Sequence, residues 1–299
     1  MSSKVEVDIL LATFNGEEFL EELLHSLELQ AGVELNIIVG DDGSSDLTAS
    51  VLSKFSNSYK SMKVISYQRI GAARNFLSLL EFSRADFIAF ADQDDIWDPH
   101  KTLKLTNAIK NQKGPVLAFG EIVPFPGLYK VSQGDSALPG LIHQNSIRGC
   151  SILINRSLKS HILNLNKNSL LMHDWASALL CRAIGKVIFV PEAKTFYRIH
   201  KGNVVGIPSA EKRFFSSLRG TLSGEFPKGI YIQAAEIYLY CEKLTKSTGF
   251  AQIKEWREGV SSGLFTRTTY AIRMRVIHGL RLRDATKICL GVFKFPNDN

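Results

Sequence analysis

Asp92-Gln93-Asp94-Asp95 sets three carboxylates within four residues, directly behind the largely apolar run from Asp86 to Ala91. Carboxylates that close repel one another unless water or a cation separates them. One chemistry for them is a divalent site, in which one or two carboxylates and phosphate oxygens share Mg2+ or Mn2+. The plainer alternative is a solvated acidic turn ahead of a helix starting near Pro99. Asp41-Asp42-Gly43-Ser44 ends another apolar run; Asp42 there could accept hydrogen bonds from a base or ribose, or simply form a turn. Asp174, in Met172-His173-Asp174-Trp175, stands where a helix begins, a position that suits an N-cap.

These clusters need elements to hold them. Val5 to Ala12 reads as a buried strand ended by Thr13-Phe14-Asn15-Gly16, and Phe19, Leu20, Leu23, Leu24 and Leu27 recur at helical spacing after it. Glu17, Glu18, Glu21 and Glu22 fall in what reads as the first turn of that helix, where its dipole favours negative charge. A strand over Leu35–Gly40, a helix from about Asp46, a strand over Lys63–Tyr67, a helix from about Ala72 and a strand over Asp86–Ala91 follow. Such alternation predicts a mainly parallel α/β sheet flanked by helices, with ligands gathered at the strands' carboxyl ends. The polar clusters fall at those ends.

Beyond a strand at Val116–Phe119, the segment Val123–Gly140 is rich in Pro and Gly and reads as a mobile loop. Structure resumes over Ile147–Asn155, with a helix over Asp174–Ile184 and strand pieces at Val187–Val190 and Thr195–Ile199. Past Pro208 the pattern becomes helical. Ile230, Ala234, Ile237, Cys241 and Leu244 form one apolar stripe, and Phe265, Ile272, Val276 and Leu280 form another in a basic tail. The expected division is residues 1–207, with one half to about 120 and another over about 121–207, and a helical region over 208–299.

The net charge of +7 suits anionic partners of several kinds, but no nucleic-acid recognition motif accompanies it. Cys150, Cys181, Cys241 and Cys289 form no Cys-x-x-Cys pair, which argues against a zinc ribbon or disulfide framework and for reduced thiols in a cytoplasmic protein. No apolar run reaches membrane-spanning length. Nothing glycine-rich and basic follows the first strand to suggest nucleotidyl transfer.

Taken as an ordered set, Thr13-Phe14-Asn15-Gly16, Asp41-Asp42-Gly43-Ser44, Gly71-Ala72-Ala73-Arg74-Asn75 and Asp92-Gln93-Asp94-Asp95 resemble glycosyltransferase family 2 over the first two thirds of the chain. The resemblance implies the GT-A fold and an inverting mechanism dependent on Mg2+ or Mn2+. It places Thr13, Phe14 and Asn15 along the donor's nucleobase, Asp42 on the base, Arg74 near the diphosphate, and Asp92 with Gln93 beside the donor sugar or ribose. Asp94 matches the family's metal ligand, with Asp95 as its neighbour. Asp174 lies where the family places its catalytic base, a role compatible with capping. Phe14 could instead be core, and Arg74 a surface cation.

Tyr197-Arg198-Ile199-His200 is similar to a segment of rhamnosyltransferase-like members that closes over the diphosphate. Arg198 suits bidentate phosphate contact there, and His200 is either a further metal ligand or an ordinary polar residue. Gly149-Cys150 resembles a family element that packs beside the acceptor, without thiol chemistry. The expected activity is sugar transfer from a nucleoside-diphosphate donor, dTDP-rhamnose first and UDP-sugars next, to a saccharide or lipid-linked acceptor in bacterial surface polysaccharide synthesis. The alternative is an inactive nucleotide-sugar-binding scaffold. Arg267, Arg273, Arg275, Arg281, Arg283 and Lys287 make the tail either a peripheral membrane contact or a helical cap that completes the fold or a homodimer.

Overall fold

In β1 (Val5–Thr13), Val7, Ile9 and Leu11 enter one apolar cluster and Leu10 enters another, the two-residue period of a strand covered on both faces. The computed structural model that shows this describes residues 4–59, 61–126, 141–142, 145–200, 228–244, 250–261 and 270. β2 (Val33–Asp41) and β4 (Phe87–Asp92) flank β1 in parallel, and β3 (Met62–Ser66) adds to β2, also in parallel. Parallel neighbours need crossovers, which α1 (Leu20–Glu28), α2 (Thr48–Ser58) and α3 (Ala72–Phe82) supply.

The second half extends the same sheet. It comprises β5 (Ile96–Trp97), α4 (Lys101–Ile109), β6 (Val116–Phe125), β7 (Ile152–Asn155), α5 (Arg156–Ile162), α6 (His173–Ile184), β8 (Lys186–Arg198), α7 (Lys228–Lys243) and α8 (Phe250–Ser261). The eight-stranded order is β3-β2-β1-β4-β7-β6-β8-β5, with β7 antiparallel to both neighbours. Residues of α1, α2 and α4 cover one face; residues of α3, α5, α6, α7 and α8 cover the other. Ala234, Ile237 and Cys241 of the expected C-terminal stripe are buried in that second layer.

Several sequence expectations change. Helix α1 begins at Leu20, because the Gly16 carbonyl takes the amides of Phe19 and Leu20 in a turn that holds Glu17 and Glu18. Glu17 instead accepts from the Leu47 amide at the head of α2, 2.7 Å away. Val123–Phe125 belong to β6, where they pair with Phe196–Arg198. The Phe125 carbonyl accepts from Ile199, so the adjacent Pro124 turns its missing N–H toward the other edge, which β7 has left after Phe119. The two expected strand pieces at Val187 and Thr195 are one strand, β8, interrupted by a bulge where Gly120 pairs with Val190 and Glu121 with Lys194. Helix α5 was not anticipated, although Asn155 caps it with a bond from the Leu158 amide. The loop over 127–140, the second stripe and the basic tail positions named above lie outside the described residues. Among the described residues no helix is long and apolar enough to cross a membrane.

Candidate active site

Strand register gathers the polar clusters. Asp92 lies beside Ala12, and Thr13 beside Asp41, at the carboxyl ends of β4, β1 and β2. The Thr13 hydroxyl donates to Asp41 Oδ1 at 3.0 Å, so it braces the strand ends. Asp42 is buried, and its two carboxylate oxygens accept the amides of Ile70 (2.7 Å) and Gly71 (2.8 Å), pinning the loop that opens α3. Gly71 takes φ 83° there, a conformation glycine adopts without steric penalty. Asn15 Oδ1 accepts from Ser45 N at 2.9 Å, and the Asn15 amide donates to Ser44 Oγ at 2.9 Å. Gln93 clasps the Phe14 backbone with both ends of its amide, Oε1 to N at 2.9 Å and Nε2 to O at 3.1 Å. Phe14 is 38% exposed beside that clasp, with the Arg69 guanidinium 4.8 Å from its ring centroid. Phe14 is therefore not core. Arg74 is exposed on α3, its Nη2 3.4 Å from Asn168 Oδ1.

The carboxylates meet at the end of β4. Ligand atoms of Asp92, Asp95 and Cys150 all lie within 4.8 Å of one another. Asp95 is fully buried; its Oδ1 takes the Arg198 amide at 3.3 Å, and the Cys150 thiol lies beside its carboxylate. Burial, then the nearby Asp94 charge, raises the Asp95 carboxyl to about 7. Asp92 is raised well above the usual range by burial and by the charges of Asp95, Asp94 and Asp174. The opposing charge is Lys101, whose side chain is also fully buried, Nζ donating to the Cys150 carbonyl and standing 3.2 Å from the Trp97 ring centroid. Burial lowers Lys101 to about 7, against the pull of Asp95 and Asp92. Carboxylate oxygens crowded to this degree fit a hard divalent cation such as Mg2+ or Mn2+. The Cys150 thiol, pushed well up by burial and the two aspartates, stays protonated and is a poor donor to such ions.

Asp94 and His200, both expected as metal ligands, are brought together: Nε2 of His200 lies 2.7 Å from Asp94 Oδ2. Arg198 extends across the same edge, Nε to the Asp94 carbonyl at 3.1 Å, Nη2 to Glu22 at 2.9 Å, and its guanidinium between the rings of Phe19 and Phe125. It ties β8 to α1 and to the acidic turn.

The short 3-10 turn Gly149–Ser151 joins this cluster to Asp174. Cys150 faces Asp92 and Asp95, while the adjacent Gly149 amide donates to Asp174 Oδ2 at 3.0 Å, with Asn145 Nδ2 on the same oxygen at 2.9 Å. Oδ1 accepts from the Trp175 amide at 2.6 Å, in the first turn of α6. His173 packs on Phe76 with the rings tilted by 31° and centroids 4.0 Å apart, and burial lowers it to about 4, so the ring is neutral. A Cβ on Gly149 would come within 2.7 Å of His173 Nε2, which explains the glycine. Sequence reasoning missed Lys101, His173 and Asn145. Lys101 sits four residues after Trp97 and three before Lys104, and nothing in that spacing marks it as buried.

The family model for Glycosyl transferase family 2 matches residues 8–165, more than half of the chain. The chain belongs to this family. Members are glycosyltransferases, and the matched span carries every strand-end cluster described above except Asp174 and the Arg198 edge. dTDP-rhamnosyl transferase RfbG of Shigella flexneri is 30% identical over 213 residues, covering 66% of this chain and 73% of that protein. Among solved structures, S. aureus TarS 1-349 in complex with UDP-GlcNAc matches with a TM-score of 0.60 at 16% identity, covering 96% of this chain and 79% of that one. The mannosyltransferase PcManGT from Pyrobaculum calidifontis, in complex with GDP-Man and Mn2+, matches with a TM-score of 0.54 at 11% identity, covering 97% and 86%. Those structural matches speak to fold, and the fold is GT-A, as the motifs implied.

Proposed function

We propose that the chain transfers a sugar, with inversion, from a nucleoside-diphosphate donor to a saccharide or lipid-linked acceptor in surface polysaccharide synthesis on the cytoplasmic side. The observation that carries this reading is the Gly149–Ser151 turn, which holds a buried carboxylate, Asp174, beside the strand-end carboxylates Asp92 and Asp95. The exposed Phe14 ring offers the donor base a stacking face, Asp42 fixes the loop beside it, and Arg74 supplies a cation for the diphosphate. Asp92, Asp94 and Asp95, with His200, would hold Mg2+ or Mn2+, which would supply positive charge to stabilise a departing diphosphate. Asp174 accepts the acceptor hydroxyl's proton as the new bond to the anomeric carbon forms and the carbon–oxygen bond to the diphosphate breaks. The relative RfbG makes dTDP-rhamnose the first donor to try.

The test is calorimetric titration of dTDP-rhamnose, UDP-glucose, UDP-GlcNAc and GDP-mannose, with and without Mn2+, followed by turnover of whichever binds. Asp94→Ala should abolish metal-dependent turnover. Asp174→Asn should bind nucleotide within about twofold of wild type yet transfer about 10²–10⁴-fold more slowly, the usual share of a general base. A folded chain that binds none of the four donors sinks the transferase reading, and wild-type rates in either variant sink that residue's role.

A further inference from the structure

Helix α7 lies outside the span matched by the family and carries none of the candidate site residues, yet one of its side chains reaches the entrance of α6. Gln233 is fully buried. Its Oε1 accepts the amides of both Leu171 (2.9 Å) and Met172 (3.2 Å), the two residues immediately before α6. One helical turn along, Glu236 Oε1 accepts the Asn166 amide at 2.9 Å, at the start of the segment that leads there. Met172 has no side-chain cap to offer α6, so these bonds from α7 hold the lead-in. Asp174 is only two residues on. Its carboxylate keeps its bonds to Gly149 and Asn145 only while α6 enters at this angle and depth.

Gln233 also retains a cost: its Nε2 is buried with no hydrogen-bond partner among the described residues. An apolar side chain of equal length would avoid that cost but would strand the Leu171 and Met172 amides. We infer that Gln233 is a positioning residue for Asp174, through which α7 becomes part of the transfer site. The inference rests on the assignment of Asp174 as base. The mechanism is geometric, since a displacement of about 1 Å at a reacting group can cost on the order of 10²-fold in rate.

A double-mutant cycle on the full chain, with the donor turned over in the panel above, tests it. Gln233→Met should lower kcat about 10–100-fold while nucleotide affinity stays within about twofold. In the Asp174→Asn background the same substitution should cost less than about threefold, because residues acting as a unit are not additive. Equal losses in both backgrounds, or a wild-type kcat for Gln233→Met, overturn the inference. If Gln233→Met does not fold, Gln233→Asn, which draws the acceptor back by one methylene, goes through the same cycle with the same criteria. Wild-type transfer by Asp174→Asn alone would instead remove the base assignment, a separate failure.

Discussion

Asp95 and Lys101 are an acid and a base buried together, where a lone charge on either would be expelled or neutralised. Both are driven to about 7, the carboxyl upward and the ammonium downward, chiefly by loss of water. For Asp95 the sign follows directly. A carboxyl whose folded pKa is raised binds more protons folded than unfolded between about pH 4 and 7, so its stabilising contribution is fully present in acid and is lost as pH rises to about 7. Asp95→Asn cannot ionise, so in metal-free protein its melting temperature relative to wild type should climb from pH 4 to pH 7. Parallel thermal melts at pH 4.5, 5.5 and 6.5 check this, and a flat difference would mean that Asp95 is not held protonated. That Asp92, Asp94 and Asp95 gather at a strand end was legible in the sequence, because the apolar run before them marks β4. Lys101 was not, because nothing in a string of residues distinguishes a lysine turned inward over Trp97 from one facing water.

Elements were legible where period and punctuation agreed, as in β1, β2 and β4, and misread where proline interrupted a strand. Pro124 and Pro126 made the end of β6 look like loop, and Pro191 split β8 in two, because pairing partners decide what a proline breaks. The junction depends on one glycine. An ideal Cβ on Gly120 would lie 1.9 Å from the Ala193 carbonyl, which is backbone and cannot swing away. Gly120→Ala should therefore destabilise by about 1–3 kcal/mol, the usual range for overpacking. Since β8 delivers Arg198 to Asp94 and Asp95, the same change should also weaken Mn2+-dependent turnover. Denaturant melts and turnover of the one variant read both effects. Loss of stability with turnover intact would show that the bulge supports the sheet without tuning the acidic turn.

Across the whole molecule, the catalytic sheet and the C-terminal helices share one apolar layer. Ala234, Ile237, Tyr238 and Cys241 of α7, with Ile253 and Trp256 of α8, are buried in the same cluster as Leu179, Leu180 and Ala183 of α6. The sequence showed the α7 stripe but not its destination, since a helical period says which face is covered and not by what. Covering a large apolar side chain is worth about 1.5–3 kcal/mol, and a domain's whole stability is about 5–15 kcal/mol. Uncovering this layer should therefore consume most of that margin. A chain ending at residue 207 is expected to lose cooperative melting or to melt more than about 10 °C lower, and to bind a hydrophobic dye that the full chain excludes. If instead it melts with the full chain, the C-terminal helices fold as a separate appendage. Gln233 would then hold the Leu171 and Met172 amides across a loose contact, and its bonds to the α6 entrance could not set the geometry of transfer.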